Sequence, residues 1–193
     1  CSSLITSNNI RPITQVTIND LSNASDPNAT ATQETFCNVV NLTQGSTSIL
    51  TVKINTRGNN TQRFTAYADW NQDGDFNDAN ETFTTTNTIV NSNGLDAASA
   101  TLNITVPLTA TIGLTTLRIV SHNTTTTTPC ASTSTLGQIE DYVINVIEAE
   151  PCVTPTTQPS TLILSANSNS LSGIFYESFP ILFMICNCYS CKS

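Results

Sequence analysis

Between residues 63 and 70 the side chains alternate. Phe64, Ala66, Ala68 and Trp70 fall on one face of an extended chain, and Thr65, Tyr67 and Asp69 fall on the other. The same period of two returns at residues 99 to 106, where Ala100, Leu102, Ile104 and Val106 share a face. Pro107 has no N–H to give a ladder and ends that run. Further strand-like segments read ITQVTI (13–18), SILTVKI (48–54, after the turn residues Gln44 and Gly45), TTLRIVS (115–121) and DYVINVI (141–147). No segment sustains the 3.6-residue period of an amphipathic helix. Short strands separated by polar turns predict an all-β fold, an antiparallel β-sandwich.

Composition narrows the setting. Only 10% of the 193 residues are charged, against roughly a quarter in ordinary domains. Thr, Asn and Ser carry the polarity instead, and Thr with Val and Ile favours strands. Such a β-protein suits secretion or display at the cell surface. The formal net charge is −8 with six Lys and Arg spread thinly, which excludes a nucleic-acid partner. No run of ~20 apolar residues is present, so no transmembrane helix is expected. The opening residues do not read as a signal peptide, and the expectation is a signal already removed or a chain cut from a longer one. Cys1 fits either a lipid-bearing terminus or a fragment starting at a disulfide cysteine, and the fragment is the expected reading.

The chain divides into three parts by composition. Residues 1–147 hold the predicted sandwich. Residues 148–160 form a linker carrying Pro151, Pro155 and Pro159, through which no ladder could run. Residues 161–193 begin like a second β-segment that is never completed, then lose Thr and gain Met184 and the close trio Cys186, Cys188 and Cys191. A metal clip there would need a fourth ligand. The widely spaced Cys1, Cys37, Cys130 and Cys152 suit structural disulfides in an oxidising compartment, in any of three complete pairings.

Residues 69 to 81 read DWNQDGDFNDANE. Asp69, Asn71, Asp73 and Asp75 occupy the first, third, fifth and seventh places of a calcium loop, and Gly74 takes the sixth, where the chain must turn sharply. Calcium takes six to eight oxygens, which a loop folding back on itself can supply. The twelfth place is Asn80, and the acid Glu81 follows one residue later; Asp78 adds another carboxylate. Because the flanks read as strand, this is a predicted calcium loop between β-strands and not an EF-hand. The competing reading is an Asn/Asp/Gly turn that binds nothing.

Two blocks together carry a resemblance: ADWNQDGDFNDANETF (68–83) and GQIEDYVINV (137–146). Between them lie TLNITVP (101–107), GLTTLRIV (113–120) and Pro129-Cys130. The order and spacing resemble the GEVED domain of secreted bacterial proteins, over roughly residues 1 to 147. The signature Gly-Glu-Val-Glu-Asp here reads Gly137-Gln138-Ile139-Glu140-Asp141. Gln138 replaces its first Glu. Thr116 and Leu117 stand where Arg and Met are usual, leaving Arg118 from that strand. The resemblance implies a β-sandwich module of large surface proteins with no established catalytic role. It also implies that Cys130 pairs with a cysteine nearer the start, Cys1 or its rival Cys37. Residues 152 to 175 resemble the start of a fibronectin-like module.

Glu140 and Asp141 lie just before the last predicted strand. Were that strand beside the one ending at Trp70, either could complete the ligand set Asp69, Asn71, Asp73, Asp75, Asp78 and Glu81; otherwise they cap a turn and face solvent. His122 reads as a surface histidine in a loop that runs on through Thr124 to Thr128. Trp70 and Tyr142 read as core, and Tyr67 as the better candidate for exposure. The expected function is a non-catalytic, calcium-stabilised structural or adhesive module, neighbouring other domains of a longer chain. A carbohydrate- or protein-binding accessory domain of a secreted hydrolase is the alternative, its partner a surface glycan or protein. A hydrolase with paired acids is the third reading.

Overall fold

The computed structural model describes residues 10–125, 127–130 and 136–151. They form ten strands and no helix. The strands are β1 (Ile13–Ile18), β2 (Leu21–Ala24), β3 (Gln33–Thr43), β4 (Thr47–Ile54), β5 (Thr61–Ala68), β6 (Thr82–Thr84), β7 (Ile89–Val90), β8 (Ala100–Thr105), β9 (Gly113–His122) and β10 (Ile139–Ile147). One sheet runs β2-β1-β4-β8, and the other runs β3-β10-β9-β5-β6, with β7 also paired to β5. Every pairing is antiparallel except β10 with β3, which is parallel. The predicted sandwich is therefore present, with one parallel ladder that the sequence did not announce. The expectations for the linker and for the segment 161–193 lie outside the described residues, apart from 148–151.

The two sheets meet through the alternating apolar positions. Phe64, Ala66, Ala68 and Trp70 of the β5 region face Leu50, Val52 and Ile54 of β4 and Leu102 and Ile104 of β8 in one core. Leu117 and Ile119 on β9, and Tyr142, Ile144 and Val146 on β10, extend it. Each fully buried Leu or Ile contributes roughly 1.5–3 kcal/mol by leaving water.

The outer face of the six-stranded sheet matters most for the site. The register places Tyr67 opposite Arg118 and Arg118 opposite Asp141. A second, smaller apolar cluster of Tyr67, Phe76, Val120 and Ile139 sits on this face. Phe76 comes from the loop after β5, so the loop folds back over the sheet that launches it.

Candidate functional site

Three side chains wind the loop 69–81 by bonding the backbone two residues ahead. Asn71 Oδ1 accepts from the amide of Asp73 (3.2 Å), Asp73 Oδ1 from Asp75 (3.1 Å), and Asp75 Oδ1 from Asn77 (2.8 Å). Short polar side chains do this readily, which is why Asn and Asp favour turns. The chain can coil so tightly because Gln72, Gly74 and Asn80 have positive φ (62°, 90° and 69°). Gly74 supplies the sharp turn at the place where the motif calls for it.

Two acids brace the loop from beneath. Asp69, nearly buried, accepts from the amides of Asp73 (3.2 Å) and Gly74 (3.1 Å) through its two oxygens. Glu81, also buried, accepts from Trp70 N (2.8 Å) and Asp78 N (3.2 Å). Burial raises its carboxyl pKa, an effect the amide bonds oppose. The Trp70 indole N–H donates to Asn80 O (3.0 Å), pinning the far end of the loop to the core.

The remaining acids converge. Asp73, Asp75 and Asp78 are exposed, and each offers an oxygen within 4.8 Å of the others. Oxygens sharing a calcium at 2.3–2.6 Å lie at most about 5 Å apart, so the spacing fits that ion. The Asn71 amide nitrogen donates to both Asp73 Oδ2 and Asp78 Oδ2 (2.9 Å each), turning its positive end to the acids. Among the described residues no Lys or Arg pairs with the trio; the ion pair found is Arg118 with Asp141.

Glu140 and Asp141 are directed elsewhere. β10 begins at Ile139, so both lie inside the strand, and β9 separates it from β5. They point to opposite faces. Asp141 forms a bidentate pair with Arg118 (Nε 2.7 Å, Nη2 2.8 Å) and accepts from Gln33 Nε2 (2.8 Å). Glu140 is fully buried between the sheets, where Oε2 accepts from the Tyr142 hydroxyl (2.6 Å) and Oε1 has no partner among the described residues. Burial pushes its carboxyl up to about 7, with Glu34 adding to the rise.

The rest of the signature is equally built in. Gln138 Oε1 accepts from Ile13 N (2.9 Å), and its Nε2 donates to Ala31 O (3.1 Å) and Glu34 Oε2 (2.9 Å). A Cβ at Gly137 would lie 1.7 Å from Ser121 O, so only glycine fits.

Arg118 was the residue least visible in the sequence as a centre. It binds Asp141, donates to Pro129 O (3.1 Å) and lies 5.4 Å from the Phe76 ring. The signature, the Pro-Cys pair and the Asp-rich loop thus meet at one guanidinium. A lone charged residue in the Leu117–Val120 stretch of β9, with an acid on another strand, was the available signal.

Two expectations about exposure are corrected. Tyr67 does face away from Phe64, but Phe76 covers it, and its hydroxyl donates to Thr127 O (3.0 Å). Burial pushes its phenol up to about 12. His122 is the last residue of β9 and is buried, with Nε2 3.0 Å from Thr65 Oγ1 and Nδ1 3.0 Å from Thr124 O. Burial lowers its pKa and favours the neutral ring. Trp70 and Tyr142 are core, as read.

Residues 63–145 match the model of the GEVED domain. The match begins in β5 and ends in β10, so it takes in the Asp-rich loop, Arg118 and the signature. No curated protein matches the chain.

Proposed function

We infer that this domain is a non-catalytic structural or adhesive module of an extracellular or surface protein, and that calcium fixes its 69–81 loop. The observation that carries the reading is the convergence of Asp73, Asp75 and Asp78 with no Lys or Arg paired to them among the described residues. Three like charges held this close repel one another, and a divalent ion would relieve that repulsion. Asp73, Asp75 and Asp78 supply carboxylate oxygens, and Asn71 supplies its amide oxygen if the side chain turns over. Asp69 and Glu81 already hold the loop's amides and act as its frame.

The non-catalytic reading rests on where the ionisable groups sit. The only histidine is buried and engaged at both ring nitrogens. Glu140 and Asp141 lie on opposite faces of one strand, so they cannot flank one substrate. Cys37 is an exposed free thiol, which removes it as the partner of Cys130. Cys130 itself is not a free thiol, and pairing with Cys1 is the remaining expectation from the resemblance. A fibronectin-like segment after residue 151 would make this one module of a longer chain.

Calorimetric titration with calcium tests the reading. Asp73→Ala is expected to weaken binding by at least about tenfold, or 1.4 kcal/mol. Glu140→Ala should leave it unchanged, because Glu140 is on the far side of the sheet. Equal affinity for wild type and Asp73→Ala would remove the assignment.

A further inference from the structure

A recess of about 220 Å³ opens on the outer face of the six-stranded sheet, between the loop 69–81 and strands β3 and β10. Its floor and walls carry Thr35, Asp69, Thr116, Arg118, Asp141 and Phe76. This is smaller than the roughly 300–1,000 Å³ of sites for drug-sized ligands. One sugar ring is of the right size.

The lining also has the right chemistry. Asp141 meets Arg118 through both oxygens, so the floor is a neutralised pair. Asp69 spends one lone pair of each oxygen on a backbone amide and keeps others for a ligand. Among the described residues the Thr35 and Thr116 hydroxyls have no hydrogen-bond partner. Each can donate and accept. Phe76 and Val143 add apolar wall. An anion would meet Asp69 and the nearby acidic trio, and a cation would meet the Arg118 guanidinium. A neutral ligand with several hydroxyls and one apolar edge satisfies every group.

We propose that this recess binds a single neutral pyranose unit of a glycan, with Thr35, Thr116 and Asp69 taking its hydroxyls and Phe76 walling one edge. Thr35 on β3 lies opposite Asp141 and Thr116 on β9 lies opposite Val143, so the two hydroxyls flank β10 from either side, offset by two residues along it. Because Asp69 and Phe76 belong to the Asp-rich loop, the shape of the recess rests in part on the calcium reading.

The test is an amide-shift titration of the ¹⁵N-labelled protein with methyl glycosides of glucose, galactose, mannose and N-acetylglucosamine. Sialic acid serves as the anionic comparison, and each series is run in calcium and in EDTA. Saturable binding of at least one neutral glycoside is expected, with a dissociation constant on the order of 1 mM, and with shifts at Thr35, Thr116 and Val143. Thr116→Trp, which fills the recess, should abolish it. Thr35→Val with Thr116→Val, nearly isosteric, should weaken it about tenfold, while Leu114→Ala, outside the recess, should not. Absence of binding by every neutral glycoside, a preference for sialic acid, or binding that survives both recess variants overturns the proposal. Sugar binding without any calcium response would leave the recess standing and remove the metal. Calcium binding without sugar binding would do the reverse.

Discussion

At the scale of single residues, partners decide what each signature position does. Gln138 shows this well. Its amide donates to Ala31 O and Glu34 Oε2 while its oxygen receives Ile13 N. A Glu at 138 could not make both donations and would face Glu34, so glutamine suits this chain. Glu140 is the complementary case. Its folded pKa of about 7 lies above the ordinary value of 4.5, with burial as the main cause. Below both values folded and unfolded chains are equally protonated at this site. As pH rises from about 4.5 to about 7 the unfolded chain releases the proton first, and stability falls. Above about 7 this group changes nothing further. Groups facing it include Glu34, Tyr142, Asn23 and Ser25. The melting temperature measured from pH 4.5 to 8 should therefore fall more for wild type than for Glu140→Gln, by the equivalent of about 2–3 kcal/mol. Parallel pH profiles would contradict the protonated, buried acid. Trp70 and Tyr142 could be read from alternation because apolar side chains sharing a face with other apolar ones have one destination. Tyr67 and His122 could not. Tyr67 is covered by Phe76 and Thr127, which return over the sheet from outside its strand, and His122 is held by Thr65 on the neighbouring strand and by Thr124 two residues on.

At the scale of elements, β5 and β8 were legible because their period of two is clean, and β9 because Leu, Ile, Val and Thr crowd a short run. β3 was not. QETFCNVVNLT mixes polar and apolar residues, and its register with β10 shifts between Asp141 and Val143, so no single alternation runs through it. Its parallel pairing also leaves no hairpin turn to find. The strand order explains the fate of Glu140 and Asp141: with β9 between β10 and β5, neither acid belongs to the loop. Arg118 on β9 joins elements that the sequence showed only as separate motifs. Arg118→Ala would leave Asp141 without its partner at a nearly buried site, where removing one member of an ion pair costs roughly 3–5 kcal/mol. Chemical denaturation should show a loss of that order. The double variant Arg118→Met with Asp141→Leu should lose clearly less, because no orphaned charge remains. A double variant that loses the sum of the two single effects would show that the two residues act independently.

At the scale of the whole molecule, a low-charge, Thr-rich chain with a formal net charge of −8 gathers acids at one end of one sheet. The sandwich core does not need them, since both sheets meet through Leu, Ile, Val and aromatic side chains. The loop therefore adds something separate from packing. It seats Phe76 on the outer face against Tyr67 and Arg118, and it gathers Asp73, Asp75 and Asp78. The acid spacing was legible in the sequence because loop ligands are local. The brace from Asp69 and Glu81 was not, because it depends on how β5 and β6 pair across the loop. Scanning calorimetry of the wild-type domain, in EDTA and then in excess calcium, addresses the central claim directly. Calcium at a hundred times its dissociation constant should stabilise the fold by about 2.7 kcal/mol and raise the melting temperature by several degrees. An unchanged melting temperature at every calcium concentration would mean that residues 69 to 81 form an acidic turn and nothing more.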